Sequence, residues 1–429
     1  MILIRLLFIA FCWLLSFPAV AQIEVRVKPQ NPPLSPHQAA TEAYQALNAG
    51  DQAMAADFLA LAIEQTADEA RRHQWALDLG HIQSALDRHA QAAQSFLLAF
   101  SIRPEAESLA SAGYALLAAG DQPAARDVFA QLVEKAPDHP VYHRQLAYLC
   151  RNDGDMACAR THFTTALGLD HDPLILEQTR REMRALDRIF WGSASLLWRT
   201  DGPDDESLFL GDRVLSQSQG IIEANGRLPL WLGSPDRWIA GFARLLWSVD
   251  GADPLPQAKS EQAGFGFKLK PFASQAIIVG AERLVSVGDF ARDDWLFRIS
   301  GSWGAGYERP VAHQGPSWLF WSVFGDIAGI GIEKTDWQIS GEGRIGRSWQ
   351  KNRFILTPHL LLSGLWQDDR SGQNSLLEGG PGLTIALPFG GSARQAPAHK
   401  IELTTQLRIN LAGTSDNDEG LSIILSVSF

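Results

Sequence analysis

Beyond Phe17 the sequence has no long apolar run. A membrane-crossing helix takes about 20 consecutive apolar residues, so a helical membrane protein is excluded and any later bilayer crossing must be built from strands. Massed cations are also missing. The chain carries 37 Lys and Arg against 48 Asp and Glu, a net charge of −11, and its pI is near 5.5. That balance argues against a nucleic-acid partner, because phosphate-backbone binding is driven by clustered Lys and Arg. No phosphate loop opens a helix, since the Gly-x-Gly occurrences at Gly264 and Gly329 lie in strand-like segments. His313, His359 and His399 are scattered without metal-ligand spacing, and no Ser/His/acid arrangement emerges. The sequence thus indicates no catalytic residue, no metal and no cofactor; a hydrolase assembled from distant strand side chains is the least supported reading.

What is present begins with an address. Arg5 precedes an apolar run from Leu6 to Phe17, then Pro18 and the small residues Ala19 and Ala21 around Val20. This pattern predicts a secretory signal over residues 1–21, cut after Ala21. Cys12 sits inside the apolar run behind bulky Phe11, which argues against a lipoprotein site. Residues 22–38 read as a linker rich in proline (Pro29, Pro32, Pro33, Pro36).

Residues 39–187 are rich in Ala, Leu, Gln and Glu at helical apolar spacing, and the pattern repeats. Aligning Gly50-Asp51, Leu86-Asp87, Gly120-Asp121 and Gly154-Asp155 places a turn about every 34 residues. Each turn is followed by a small residue (Ala55, Ala92, Ala125, Ala159) and then a large apolar one (Leu59, Phe96, Phe129, Phe163). A second small residue follows at Ala62, Ala99 and Ala166, and Pro104 and Pro137 end helices. The pattern resembles the tetratricopeptide repeat. Two short antiparallel helices cannot bury their apolar faces alone, so the prediction is a stacked α-solenoid, with Leu174 to Phe190 as a capping amphipathic helix. Trp75, Tyr114, Tyr142 and Tyr148 read chiefly as core, with a binding groove as the alternative. Cys150, late in the first helix of the last hairpin, and Cys158, early in the second, are placed where they can meet across the turn, either bridged by a disulfide or as two small buried hydrophobes.

From residue 188 onward the composition shifts to Gly, Ser, aromatic and β-branched residues, and every tryptophan except Trp13 and Trp75 lies there. Aromatic girdles at two bilayer interfaces explain so much indole better than a soluble core does. Lys400 to Leu411 alternates strictly: Ile401, Leu403, Thr405, Leu407, Ile409 and Leu411 on one face, Lys400, Glu402, Thr404, Gln406, Arg408 and Asn410 on the other. Leu421 to Phe429 alternates likewise and closes on an aromatic residue, which resembles the terminal signature of bacterial outer-membrane barrels. Segments of this kind start near residues 190, 218, 237, 263, 275, 293, 316, 335, 353, 374, 398 and 419. They predict an antiparallel transmembrane β-barrel of about twelve strands over 188–429, and hence a two-domain α+β chain. Odd-numbered connections, including Asp201 to Glu206, Asp250 to Glu261, Gln367 to Gln373 and Gly413 to Glu419, are expected to be long and acid-rich; Pro271-Phe272 and Lys351-Asn352 are expected to be tight turns on the opposite side.

Val279 to Gly306, followed by Gly341 to Trp349 (GEGRIGRSW), resembles the C-terminal domain of the bacteriophage adsorption protein A family, with the likeness running over about 275–429. The resemblance implies an outer-membrane location with the repeats in the periplasm. It further implies service as a phage receptor, and a part in exopolysaccharide secretion beside an inner-membrane glycosyltransferase. The partners so implied are outer-membrane lipid, a phage protein, an exopolysaccharide and that glycosyltransferase. By alternation, a polar lumen would carry Glu282, Arg298, Glu342, Arg344, Glu402 and Arg408. A channel needs wall groups that exchange hydrogen bonds with sugar hydroxyls without holding them. The competing expectation is that these charges pair with one another and plug a narrow, structural or receptor barrel.

Overall fold

The computed structural model describes residues 34–200, 218–230, 232–250, 253–256, 260–289, 291–310, 315–369, 372–414 and 419–429. The expected signal, most of the proline-rich linker, Cys12, His313 and the Asp201 to Glu206 connection lie outside them. Two compact units divide at Pro137 and Asp138.

The first unit holds six described helices: α1 (Pro36–Asn48), α2 (Gln52–Gln65), α3 (Glu69–Ala85), α4 (His89–Ile102), α5 (Ala106–Ala118) and α6 (Gln122–Lys135). They are tetratricopeptide-like hairpins, and the Gly-Asp pairs explain their punctuation. Gly50 and Gly120 take left-handed backbone at φ +84° and +80°, a conformation a Cβ disfavours. The aspartates that follow cap the next helix, Asp51 accepting from the Met54 N–H and Asp121 from the Ala124 N–H. The remaining turn in this unit corrects the expected alignment by one residue. Asp87 itself takes the left-handed position, at φ +56°, so it stands where glycine stands elsewhere, and Arg88 starts α4 without a side-chain cap. The repeat marks Ala55, Ala92 and Ala125 are all fully buried, as are Leu59 and Phe129. Close helix contact demands a small partner opposite each ring: a Cβ on Gly113 would lie 2.9 Å from the Phe129 ring.

The second unit opens with α7 (Pro140–Asp153), α8 (Met156–Leu169) and α9 (Pro173–Asp187). Gly154 and Asp155 repeat the turn chemistry, with φ +88° at Gly154 and Asp155 accepting from the Cys158 N–H. The cysteines across that turn are bonded, Cys150 to Cys158, with Cα atoms 5.8 Å apart. The expected cap, α9, starts on the Asp172 side chain, which accepts from the Leu174 N–H.

Twelve strands then close an antiparallel ring: β1 (Phe190–Arg199), β2 (Gln219–Arg227), β3 (Trp238–Asp250), β5 (Gln262–Lys270), β6 (Ile277–Ser286), β7 (Asp294–Ala305), β8 (Ser317–Ile330), β9 (Asp336–Lys351), β10 (Phe354–Asp369), β11 (Gly372–Phe389), β12 (His399–Gly413) and β13 (Gly420–Ser428). A four-residue strand, β4 (Asp253–Pro256), pairs only with the end of β3. Each barrel strand bonds its sequence neighbours, and β1 pairs with both β2 and β13, which closes the ring. Every start falls within about two residues of its expected position, because period-two alternation is a strong local signal.

The connections are less regular than expected. β10 runs to Asp369 and β11 restarts at Gly372, so most of the Gln367 to Gln373 loop is strand, while Asp250 to Glu261 contains β4. The Lys351-Asn352 turn is tight, with Asn352 at φ +58°.

The outward face is apolar. Phe297, Ile299, Ile345 and Leu360 are more than half exposed, and Trp295 and Trp303 stand exposed near the two ends of β7. Eight residues separate those indoles, roughly 20 Å along the normal for a strand tilted about 40°, comparable to an apolar band between interfacial aromatics.

Candidate functional site

The interior of the ring is where the chemistry collects. On β9 the even positions Gln338, Ser340 and Glu342 are buried while Trp337 and Ile339 face out; the same parity operates around the barrel and turns charged groups inward. Bringing charges out of water is costly unless they are paired, and here they are.

The larger group links β1, β9, β10, β11, β12 and β13. Glu378 receives Arg199 at 2.6 Å and Arg408 at 2.8 Å. Arg408 also reaches Glu342 at 3.3 Å, and Glu342 receives Arg344 at 2.7 Å. Arg408 donates further to Ser363, Gln406 and Ser422, which accounts for a guanidinium only 1% exposed.

A second group lies across the ring on β3, β6, β7 and β8. Arg244 meets Glu282 at 2.6 Å, Arg298 lies 3.4 Å from Asp326, and Ser300 donates to Asp326 at 2.7 Å. Gly264, between β3 and β6, makes the first pair feasible: a Cβ there would collide with the Glu282 carboxylate. Between these pairs remains a cavity of about 180 Å³. The rest of the described interior mixes further buried polar groups, among them Gln262, Ser348, Thr357 and His359, with apolar patches: Ile221, Leu246, Leu284, Leu296 and Ile330 in one, Trp318, Ile355 and Ala386 in another.

Of the six positions expected to line a lumen, Glu282, Arg298, Glu342 and Arg408 are buried inside the barrel. Arg344 is partly buried through its bond to Glu342. Glu402 is partly exposed and pairs with Lys400 at 2.9 Å; it joins neither group. Sequence reading missed Arg199, Arg244, Asp326 and Glu378. Parity could have placed them on the inner face, but not in pairs, since Arg199 and Glu378 are 179 residues apart.

At the end of the barrel where β1 begins, α9 is tied to two turns. Arg184 bonds Glu308 at 2.9 Å and the Pro397 carbonyl at 2.6 Å, Arg181 donates to the Arg309 carbonyl at 2.8 Å, and Arg180 to the Ala393 carbonyl at 3.0 Å. Asp187 accepts from Gln395. Between α9, these turns and the strand ends lies a cavity of about 1110 Å³. Ile355, of the Trp318 patch, is part of its lining.

Residues 253–424 match the family described as Bacteriophage N adsorption protein A C-term. The match contains both segments that carried the resemblance and begins earlier than expected, at β4. It covers β5 to β12 and most of β13. The helical hairpins are similar to solved tetratricopeptide proteins. One from Parabacteroides merdae is 16% identical over 35% of this chain and 59% of its own, with a TM-score of 0.32; this chain thus spans less than two thirds of that protein. MamA from Desulfovibrio magneticus is 16% identical over 35% of this chain and 83% of its own, at 0.29. YrrB, described as a TPR protein with an unusual peptide-binding site, is 15% identical over 35% and 74%, at 0.29. No curated protein matches the chain.

Proposed function

We propose that this chain is a non-enzymatic outer-membrane barrel with an occluded lumen. One end would be displayed at the cell surface as an adsorption site for a phage protein, and the helical repeats would be held in the periplasm as a docking scaffold. The observation that carries the reading is the inverted burial of the barrel: an apolar outer face between exposed indoles, and an interior filled by Arg199, Glu378, Arg408, Glu342 and Arg344 in mutual contact. A conducting pore keeps exchangeable groups in contact with water, whereas Arg408 and Glu378 have given theirs to one another. The match to a phage-adsorption family supports the receptor part.

Reconstituted in planar bilayers, the wild-type protein is expected to show no steady conductance, and an Arg408→Ala/Glu378→Ala double variant to open one. A constant open conductance from wild type would sink the occluded-lumen reading. Cells lacking the protein are expected to lose adsorption of the phage that depends on it.

A second reading is exopolysaccharide secretion, with the lumen opening only during transport. It is favoured by the large cavity beside α9, placed at the mouth of the polar interior. Gene deletion is then expected to leave polymer in the periplasm; unchanged secretion removes this reading.

A further inference from the structure

The cavity beside α9 has a chemistry of its own. Six cations line it, Arg181, Arg184, Arg188, Arg309, Arg353 and Lys400, against the carboxylates of Glu177, Asp187 and Glu308. Those acids are already engaged: Glu177 with Arg181, Glu308 with Arg181 and Arg184, Asp187 with Arg160; Lys400 in turn is paired with Glu402. Among the described residues, Arg188 and Arg353 make no ion pair. Arg188 instead lies over the Trp191 ring, its Cζ 5.8 Å from the ring centroid, a cation–π contact that orients the guanidinium while leaving its hydrogen-bond donors for another group. Arg353 stands exposed in the two-residue β9–β10 turn. A concave wall with cations in excess focuses a positive potential and concentrates anions.

Size and lining narrow the ligand. About 1110 Å³ exceeds the usual volume of a small-molecule pocket, roughly 300–1,000 Å³, so a lone inorganic anion would leave it mostly empty. Gln350 and Asn352 add neutral hydrogen-bonding amides, His399 adds ring nitrogens, and Tyr307 and Phe190 supply exposed ring faces. Amides, ring faces and guanidinium forks together suit a chain of hydroxylated rings bearing carboxylates.

We propose that this cavity binds an acidic saccharide chain, with Arg188 and Arg353 as the groups that recognise its carboxylates. The site deepens the secretion reading by naming the chemistry of its ligand, yet binding here does not require the lumen to open; loss of transport and loss of binding are therefore separable results.

The test uses the full-length protein in detergent, titrated calorimetrically with an oligogalacturonate and with a neutral malto-oligosaccharide of equal length. The acidic chain is expected to bind and the neutral one not. Arg188→Gln/Arg353→Gln is expected to weaken binding at least tenfold, Arg188→Lys/Arg353→Lys less, and Arg72→Gln, which removes an exposed charge on α3, not at all. Both cavity residues are exposed, and retained heat-modifiable gel migration checks that the barrel is intact. Equal binding of the neutral chain, or no loss in the double glutamine variant, overturns the proposal. So does displacement of the saccharide when the protein is moved into phosphatidylglycerol nanodiscs, which would make a lipid headgroup the occupant.

Discussion

The helical array and the barrel bury opposite chemistry. In the array, Leu59 and Phe129 are fully buried and the core is almost wholly alanine and larger apolar side chains. In the barrel, Phe297 and Leu360 are outside at 52% and 62% exposure, while Arg408 and Glu378 are inside at 1% and 2%. The difference teaches that burial follows the surrounding solvent: the array hides apolar surface from water, whereas the barrel turns it outward, as suits a lipid surround, and keeps its polar groups on the enclosed side.

The comparison breaks most sharply where the barrel's paired charges are unpaired. Glu378→Ala leaves both Arg199 and Arg408 without their shared carboxylate, and a loss of about 3–5 kcal/mol is expected, read as a lower urea midpoint for the reconstituted barrel. Glu378→Gln, which keeps the volume and part of the hydrogen bonding, should lose less. In the array the equivalent blow is a cavity. Phe129→Ala should cost about 3–4 kcal/mol, measured by circular dichroism on thermal or urea unfolding, with the barrel's migration on gels unchanged. A charge on the barrel's outer face tests the lipid side directly: Ile299→Arg, 53% exposed in the middle of β7, should cost about 2–3 kcal/mol in bilayers. In a water-exposed barrel the same change would be nearly neutral.

The smallest expected effect is a pH dependence in the hairpin of α7 and α8. Burial, and then the neighbouring His143, hold His162 below the ordinary histidine value, and the two Nδ1 atoms lie 3.0 Å apart. A base with a depressed folded value makes the unfolded chain the better proton acceptor. The stability it supports is therefore present above the unfolded value, about 6.5, and is lost as pH falls through the lower folded value. His162→Gln should flatten that slope; a slope unchanged by the substitution assigns it elsewhere.

How much of this could be read beforehand depended on the range of the signal. Strand positions were legible because alternation is decided within a few residues, as in Lys400 to Leu411. The helical punctuation was legible except at Asp87, where an aspartate does what glycine does in the other turns and shifts the alignment by one. Loop lengths were not legible at Gln367 to Gln373, since hydrogen bonding with the neighbouring strands carries β10 and β11 almost to their turn. The inner face was legible as a parity, whereas its pairs depend on strand register and ring closure. Arg199 and Glu378 meet only because β1 has come round beside β13.

That seam has a consequence for biogenesis. Gly192 and Phe429 exchange two backbone hydrogen bonds, at 2.9 and 3.0 Å, so the first strand made by the ribosome waits for the last before it has a partner on that side. Losing β13 alone would leave β1 and β12 with open edges in oil, where bare amides find no water. For a barrel in a membrane, stable insertion is then expected only once β13 has paired with both β1 and β12.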